Sequence, residues 1–287
     1  MTYFKMFMNI FYLLAFFSQQ WGLTLALNFQ CSDVNSMHSN NQEVSSRLRA
    51  LEEQMLQVQS LLQGGTRPSY TTVQGYPEDC EEIYKNGTRV EGIYAISPDG
   101  RCPFFVHCDM TNGGWTVIQR RINGNVNFFR DWDDYVHGFG DVDGEFWLGL
   151  QKIHRLTQGG SQIYFGITNY DDTTDFAHYQ TFTVHGAATK YRMNVDAYGY
   201  QGSINELFTF HDNMVFSTYD RDNDVHATAN CCADHGGGGW WWKNCYKLGN
   251  VNGIYGKMTS GGLGYWNSKY VPIKGVEIKV KAINGTC

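Results

Sequence analysis

The chain has 287 residues and a formal net charge of −6, and it is 42% hydrophobic and 17% charged, which excludes a disordered polyampholyte or a coiled-coil rod throughout. No basic patch of the kind polyanion binding needs is present, so no nucleic acid is expected as a partner. Aromatic residues at 15% together with 32 glycines suit a loop-rich fold anchored by large flat side chains, and eight cysteines suit an oxidising compartment.

The first 17 residues, MTYFKMFMNIFYLLAFF, place Lys5 before an apolar run from Met6 to Phe17. That run is shorter than the roughly 20 residues a membrane span needs. Thr24-Leu25-Ala26 offers the small residues a signal peptidase reads, so 1–26 is expected to be a signal peptide with cleavage after Ala26. The alternative is a signal anchor. The sequons at Asn86 and Asn284 agree with a secreted, extracellular product that has no membrane span in its mature chain.

Residues 27–41 are polar and carry Cys31. Over 42–63, Val44, Leu48, Leu51, Met55, Val58 and Leu62 follow steps of 4, 3, 4, 3 and 4, a heptad seam. Strict spacing without a widened apolar face favours a short coiled coil, and hence a homo-oligomer through 44–62, over an amphipathic helix lying on the domain. So short a coil is marginal by itself in water, and an interchain disulfide through Cys31 would staple it. Residues 64–77 form a Gly/Pro/Ser/Thr linker, and 78–287 form the globular domain.

Within that domain no repeat of 20–50 residues is present, which excludes solenoids and propellers. Trp115–Arg121, Ile163–Ile167, Tyr179–Val184 and Tyr191–Tyr198 read as strands, and Glu145–Leu156 has helical length and spacing. Gly275–Ala282 alternates cleanly, with Val276, Ile278 and Val280 on one face and Glu277, Lys279 and Lys281 on the other. From Asp212 to Tyr270 the chain is mostly loop, rich in Gly, Asp, Asn and Trp; a loop region that long in a compact domain is expected to carry function.

Two constellations stand in that region. In Asp220-Arg221-Asp222-Asn223-Asp224, alternate carboxylates repel unless a cation neutralises them, and hard oxygen ligands suit Ca²⁺; a solvated acidic turn is the competing explanation. An EF-hand is excluded, because its Gly and Glu positions hold Val225 and Cys231. The second is Cys231-Cys232 followed by Cys245, enclosing Trp240-Trp241-Trp242. A disulfide closing that loop would contribute about 3 kcal/mol, and the absence of paired C-x₂-C ligands disfavours zinc. Three consecutive tryptophans are not expected all to face the core, so at least one is placed at a surface as a small-ligand or sugar platform. No H-E-x-x-H, G-x-S-x-G or P-loop is present. The acidic residues at 131–145 read as a solvated turn before a helix, with Asp143 and Glu145 at its N-terminus. The chain is not expected to be an enzyme.

Several long segments together resemble the fibrinogen C-terminal-like domain over essentially all of 78–287. They are CDMTNGGWTVIQRR (108–121), FFRDWDDYVHGFGDVDGEFWLGLQKIHRLT (128–157), FSTYDRDNDVHATANC (216–231), GGWWWKNCY (238–246) and VNGIYG (251–256). The resemblance implies an α+β fold: a central antiparallel sheet with a long loop-rich calcium and ligand subdomain, here preceded by a short coiled-coil helix. With no Gly-X-Y stalk, the chain looks most like the tachylectin type among ficolin- and tachylectin-like lectins. The family pattern implies Ca²⁺ held by the side chains of Asp222 and Asp224 and the backbone oxygens of His226 and Thr228. It also implies a cis Asn244–Cys245 peptide, with the N–H groups of Cys245 and Tyr246 binding an acetyl oxygen. Trp242, Tyr255, Tyr265 and His235 are the candidate walls. The resemblance pairs Cys80 with Cys108 and favours Cys232 over Cys231 as the partner of Cys245. The pairing of Cys31, Cys102, Cys231 and Cys287 stays open, with Cys102–Cys287 and Cys231–Cys287 as alternatives. The function so implied is a secreted, calcium-dependent lectin for N-acetylated groups of microbial or glycoprotein glycans, such as N-acetylglucosamine, acting in innate immunity and made multivalent by oligomerisation. The alternative is an angiopoietin-like secreted ligand for a cell-surface receptor.

Overall fold

The computed structural model describes residues 75–283 apart from 207, 246–249, 260 and 268. The expected signal peptide, Cys31 segment, coiled coil and most of the linker lie outside the described residues, as do Tyr246, Asn284 and Cys287. Among the described residues no helix is long and apolar enough to cross a membrane.

The domain opens on helix α1 (Cys80–Lys85), started by Asp79, whose side chain accepts the N–H of Glu82 at 2.9 Å. The Cys80–Cys108 disulfide ties this helix to the sheet, as expected. Asn86 caps the helix and is exposed, so its sequon is accessible. Cys102 is also disulfide-bonded.

The strands β1 (Gly92–Ile96), β2 (Phe104–Asp109) and β3 (Trp115–Arg121) form a meander, and β6 (Ser161–Thr168), β7 (Thr174–Val184) and β8 (Met193–Val195) form a second. Short strands β4 (Phe139–Gly140) and β5 (Phe146–Trp147) pair beside β3, β9 (Gln201–Gly202) pairs with β7, and β10 (Gly264–Asn267) and β11 (Lys269–Pro272) pair with each other. Strand β12 (Gly275–Ala282) joins the two meanders, pairing antiparallel with β3 on one side and β6 on the other. Its alternation is as expected: Val276, Ile278 and Val280 are buried. On the opposite face, Glu277 pairs with Arg120 at 2.7 Å and Lys281 lies over the Trp115 ring.

Two expected elements are shorter than their patterns suggested. In the 145–156 stretch, Phe146–Trp147 instead forms strand β5, paired with β3, and the helix occupies Leu150–Thr157. Gly149, at φ 105°, breaks the chain between them. In 191–198 only Met193–Val195 is strand, because Tyr191 has φ 53°.

The acidic stretch at 131–145 also differs from expectation. Asp131 caps the helix Trp132–His137, but Glu145 is buried and does not cap a helix. Its carboxylate accepts the N–H groups of Ile122, Asn123, Gly124 and Val126 at 2.7–3.0 Å. Those four bonds outweigh the cost of burial and hold its pKa below the ordinary carboxylate value.

The core is aromatic. Phe216 lies 5.1 Å from Trp241, 5.3 Å from Tyr135 and 5.9 Å from Trp147, mostly tilted or edge-on. This cluster joins the inner face of the sheet to the loop half that carries the candidate site.

Candidate calcium and ligand loop

Residues 204–274 contain few regular elements; isolated backbone bridges and turns are supplemented by side-chain-to-backbone hydrogen bonds. Asn252 donates to the Gly239 carbonyl at 2.8 Å, and its own side-chain oxygen accepts from Gln119 at 3.0 Å. Asn250 donates to the His235 carbonyl at 2.8 Å, and Arg121 donates to that of Gly253 at 3.0 Å. Gly239 lets the loop approach the core closely: a Cβ there would fall 2.7 Å from Tyr135 and 2.8 Å from Phe216.

The acidic run is fixed at both ends. Asp220 accepts the N–H of Trp132 at 3.0 Å and the Thr218 hydroxyl at 2.7 Å, so this first carboxylate is structural. Asn223 donates to the Phe216 carbonyl at 2.9 Å and accepts from Lys190 at 2.7 Å. That leaves Asp222 and Asp224, which are near neighbours. Asp222 Oδ1 accepts the N–H of Asp224 at 3.2 Å, while Asp224 accepts from His226 at 2.7 Å and Cys231 at 2.8 Å. Burial raises the pKa of Asp224, and the Asp222 charge pushes it the same way. Among the described residues neither carboxylate has a salt bridge to Lys or Arg.

Two adjacent carboxylates without a cationic partner, followed by the backbone oxygens of His226 and Thr228, fit a hard cation in donor type. No group of three His, Cys, Asp or Glu side chains among the described residues is placed to hold a metal, so such a site would depend on those backbone oxygens. The N–H groups of Thr228 and Ala229 donate to His226 Nδ1 at 3.3 and 3.0 Å, closing the turn around them.

The disulfide next to this turn differs from expectation. Cys245 pairs with Cys231, and Cys232 is a free, buried thiol. The reason is local. Asn230 caps the short helix Cys231–Asp234 by accepting the N–H of Ala233, which places Cys231 at the helix start with its N–H on Asp224. Cys232 is turned into the core, where its thiol donates to the Gly238 carbonyl at 3.3 Å and burial raises its pKa.

The turn at Cys245 also departs from the expected form. No peptide bond among the described residues is cis, so Asn244–Cys245 is trans; Cys245 instead has φ 39°. Its N–H points to Cys231 Sγ at 2.9 Å and so is not directed at a ligand. Asn244 is exposed beside it.

The candidate walls do not come together there. Trp240, Trp241 and Trp242 are all buried, at 4%, 1% and 1% exposure, so none is a surface platform. The irregular backbone lets each point a different way, and their indole N–H groups find carbonyls: Trp241 donates to Tyr191 and Trp242 to Gly238. Tyr255 faces elsewhere, its hydroxyl 2.8 Å from the carbonyls of Ile122 and Lys274. Tyr265 is buried and bonds Asp175 at 3.4 Å. Only His235 keeps a place at the loop, half-buried and tilted 6.3 Å from Trp242.

The exposed aromatics beside the acidic turn are Phe129 and Tyr219, which the sequence reading did not single out. Their rings stack at 4.6 Å, inclined by 21°, with 47% and 37% exposure. Phe129 bridges to Gly238, and the Tyr219 carbonyl accepts from Asn230 at 3.1 Å, so the pair is tied to both sides of the disulfide loop. The one available signal was the aromatic residue immediately before the acidic run.

Comparison with known proteins agrees with this architecture. The family model for the C-terminal globular domain of fibrinogen beta and gamma chains matches residues 76–283. Human tenascin-R is 39% identical over 76% of this chain, although the chain spans only 16% of that protein's length. Bovine microfibril-associated glycoprotein 4 is 37% identical over 71% of the chain and 85% of its own length, and human angiopoietin-related protein 7 is 33% identical over 86% and 75%. Among solved structures, the fibrinogen-like globe domain of human ANGPTL2 has a TM-score of 0.66 at 34% identity, covering 72% of this chain and 99% of that one. Lamprey fibrin D-dimer complexed with a Gly-His-Arg-Pro-amide peptide has a TM-score of 0.64 at 30% identity, covering 85% and 89%. None of these names describes an enzyme. By sequence and by fold, the chain belongs to the fibrinogen C-terminal domain family.

Proposed function

We propose that this chain is a secreted, non-enzymatic, calcium-dependent lectin for N-acetylated groups of glycans. The observation that carries the proposal is the direct linkage of the acidic turn to the exposed turn at Asn244. Asp224 accepts the N–H of Cys231, Cys231 is bonded to Cys245, and Val225 donates to the Lys243 carbonyl at 3.1 Å. Bound Ca²⁺ would neutralise the Asp222–Asp224 repulsion, with the backbone oxygens of His226 and Thr228 completing the protein ligands. Order in the acidic turn then passes through the disulfide to the turn at 244–245. Asn244 offers amide donors and acceptors to an acetamido group, and the Phe129–Tyr219 stack offers a flat apolar face to a sugar ring. A shallow site of this kind binds weakly, and oligomerisation through 44–62 would supply avidity. Extracellular placement is supported by the disulfides and by relatives named as tenascins and as a microfibril-associated glycoprotein.

The test is retention on acetylated resin, with calcium and with a chelator, against a non-acetylated control. Calcium-dependent, acetyl-specific retention eluted by N-acetylglucosamine is expected, and the double change Asp222→Asn with Asp224→Asn should reduce it at least tenfold. Retention unaltered by that change would break the calcium linkage. No retention by the unmodified protein would favour a receptor-binding ligand, a reading supported by the similarity to angiopoietin-related protein 7 over 86% of this chain and 75% of that one.

A further inference from the structure

The two ends of the large sheet are finished differently. At one end the chain itself closes β8: Met193 donates to the Met214 carbonyl and accepts from the Asn213 N–H, both at 2.9 Å, and Val195 donates to Asp212 at 3.0 Å. At the other end β1 pairs with β2 alone. The entry segment meets β1 just past its end, where Ser97 donates to the Pro77 carbonyl at 2.8 Å. Among the described residues no hydrogen bond reaches the outer backbone edge of Gly92–Ile96. Soluble proteins usually blunt such an edge with Lys, Pro or a bulge. Strand β1 reads Gly-Ile-Tyr-Ala-Ile, holds none of these, and keeps an unbroken register with β2.

The side chains beside this edge are apolar too. The register sets Ile93 opposite His107 and Ala95 opposite Phe105, so these four share one face of the sheet. It is the face turned away from the core, since Ile96 and Val106 on the other face are fully buried. Ile93 is 43% exposed and Phe105 51%, whereas His107 is buried and bonded to Glu91 at 3.0 Å.

We propose that β1 pairs antiparallel with β1 of a second copy of this chain, about a two-fold axis at Tyr94. A two-fold contact requires a surface that complements itself, and this strand has one. With Tyr94 opposite its own copy, Ile93 falls opposite the second copy's Ala95, and Glu91 opposite its Ser97. No two like charges are opposed. The small Ala95 side chain leaves room between Phe105 of its own copy and Ile93 of the other, so two apolar rows cross the junction on the outer face. The backbone edge finds its missing ladder, and two sheets become one. An unrelated peptide could use the backbone edge but would lack this repeated fit of Ile93 beside Ala95.

Hydrogen–deuterium exchange of the full chain, read on peptides covering 90–97 and compared with Ile93→Lys, tests this. An outward-facing edge N–H exchanges freely in a single copy and is held in the pair. The outward N–H groups of β1 are expected to exchange about tenfold slower in the unmodified protein than in the variant, with β2 and β12 alike in both. Lys is a usual residue on a free edge, so the variant should fold. Equal exchange of β1 in the two proteins would overturn the proposal. So would an equal acceleration of β2, which would mean that the substitution only loosens the fold. Oligomerisation through 44–62 alone leaves this edge exchanging fast and cannot mimic the result. If Ile93→Lys does not fold, Tyr94→Cys decides, because it sets the new thiols of two copies face to face on the axis. A disulfide joining two copies at position 94 is expected by peptide mapping, and none at position 105 in Phe105→Cys, which is exposed but off the axis. No cross-link at 94, or equal cross-linking at both positions, would overturn the pairing.

Discussion

The sheet half and the loop half of this domain satisfy their buried backbone groups by different means. In the sheet half, side chains alternate along β12 and β6, and the backbone satisfies its own hydrogen bonds strand to strand. In the loop half the ladder among the described residues is limited to the short Gly264–Asn267 and Lys269–Pro272 pair, and the other backbone bonds are isolated bridges and turns, such as those joining Ser217 to Trp240 and Asn250 to Gly264. Buried side chains supplement these bonds: Asn250 and Asn252 donate to loop carbonyls, Gln119 and Arg121 reach the loop from β3, and Glu145 and Asp220 hold N–H groups of the neighbouring segment 122–132. A sheet spreads its stability over many equivalent pairs, whereas these loops concentrate theirs in a few polar residues that cannot substitute for one another.

That contrast can be broken most sharply at Glu145. Its carboxylate holds four backbone N–H groups and lies 3.9 Å from the buried Arg121 guanidinium, whose own pKa burial lowers to about 10. Glu145→Ala leaves that cation uncompensated and is expected to cost about 3–5 kcal/mol, read as a lower midpoint in urea denaturation. A conservative change on the outer face of β12, such as Lys279→Arg, should cost far less.

The disulfide assignment predicts the next largest effect. Cys231→Ala removes a bridge closing a loop with a sequence separation of 14, and should cost about 3 kcal/mol. Cys232→Ala removes only a buried thiol, costs about 1 kcal/mol, and should leave calcium-dependent retention in place. The reverse order of the two effects would restore the pairing that the family resemblance favoured.

The smallest of these effects is a pH dependence carried by His211. Its folded pKa of about 4 lies below the ordinary value of 6.5, so the unfolded chain takes up the proton first. The stability that His211 contributes is therefore complete above pH 6.5 and lost as pH falls toward 4. His211→Gln should flatten the decline in unfolding free energy over that window, measured as the difference between the variant and the unmodified protein. An unchanged slope would mean that His211 is not buried in its neutral form.

How much of this was legible in the chain varies with the physics of each region. Strand β12 could be read to the residue, because period-two alternation is a local consequence of pleat geometry and the strand has one wet face. The order of the sheet could not, because nothing local says that the final strand inserts between β3 and β6. At the site, the Asp222–Asp224 pair was visible as alternating charge. The stacking of Phe129 on Tyr219 was not, since the two lie far apart in sequence and meet only through the loop packing.

The sequence by itself determined the family, the loop-rich character of 212–270, the Cys80–Cys108 bridge and the location of the acidic turn, all carried by local composition or contiguous motifs. Only the tertiary structure decided which of two adjacent cysteines meets Cys245, where three consecutive tryptophans point, and whether Glu145 caps a helix or anchors a loop. Each of those depends on which buried backbone groups need a partner, and that need exists only once distant segments have excluded water from them.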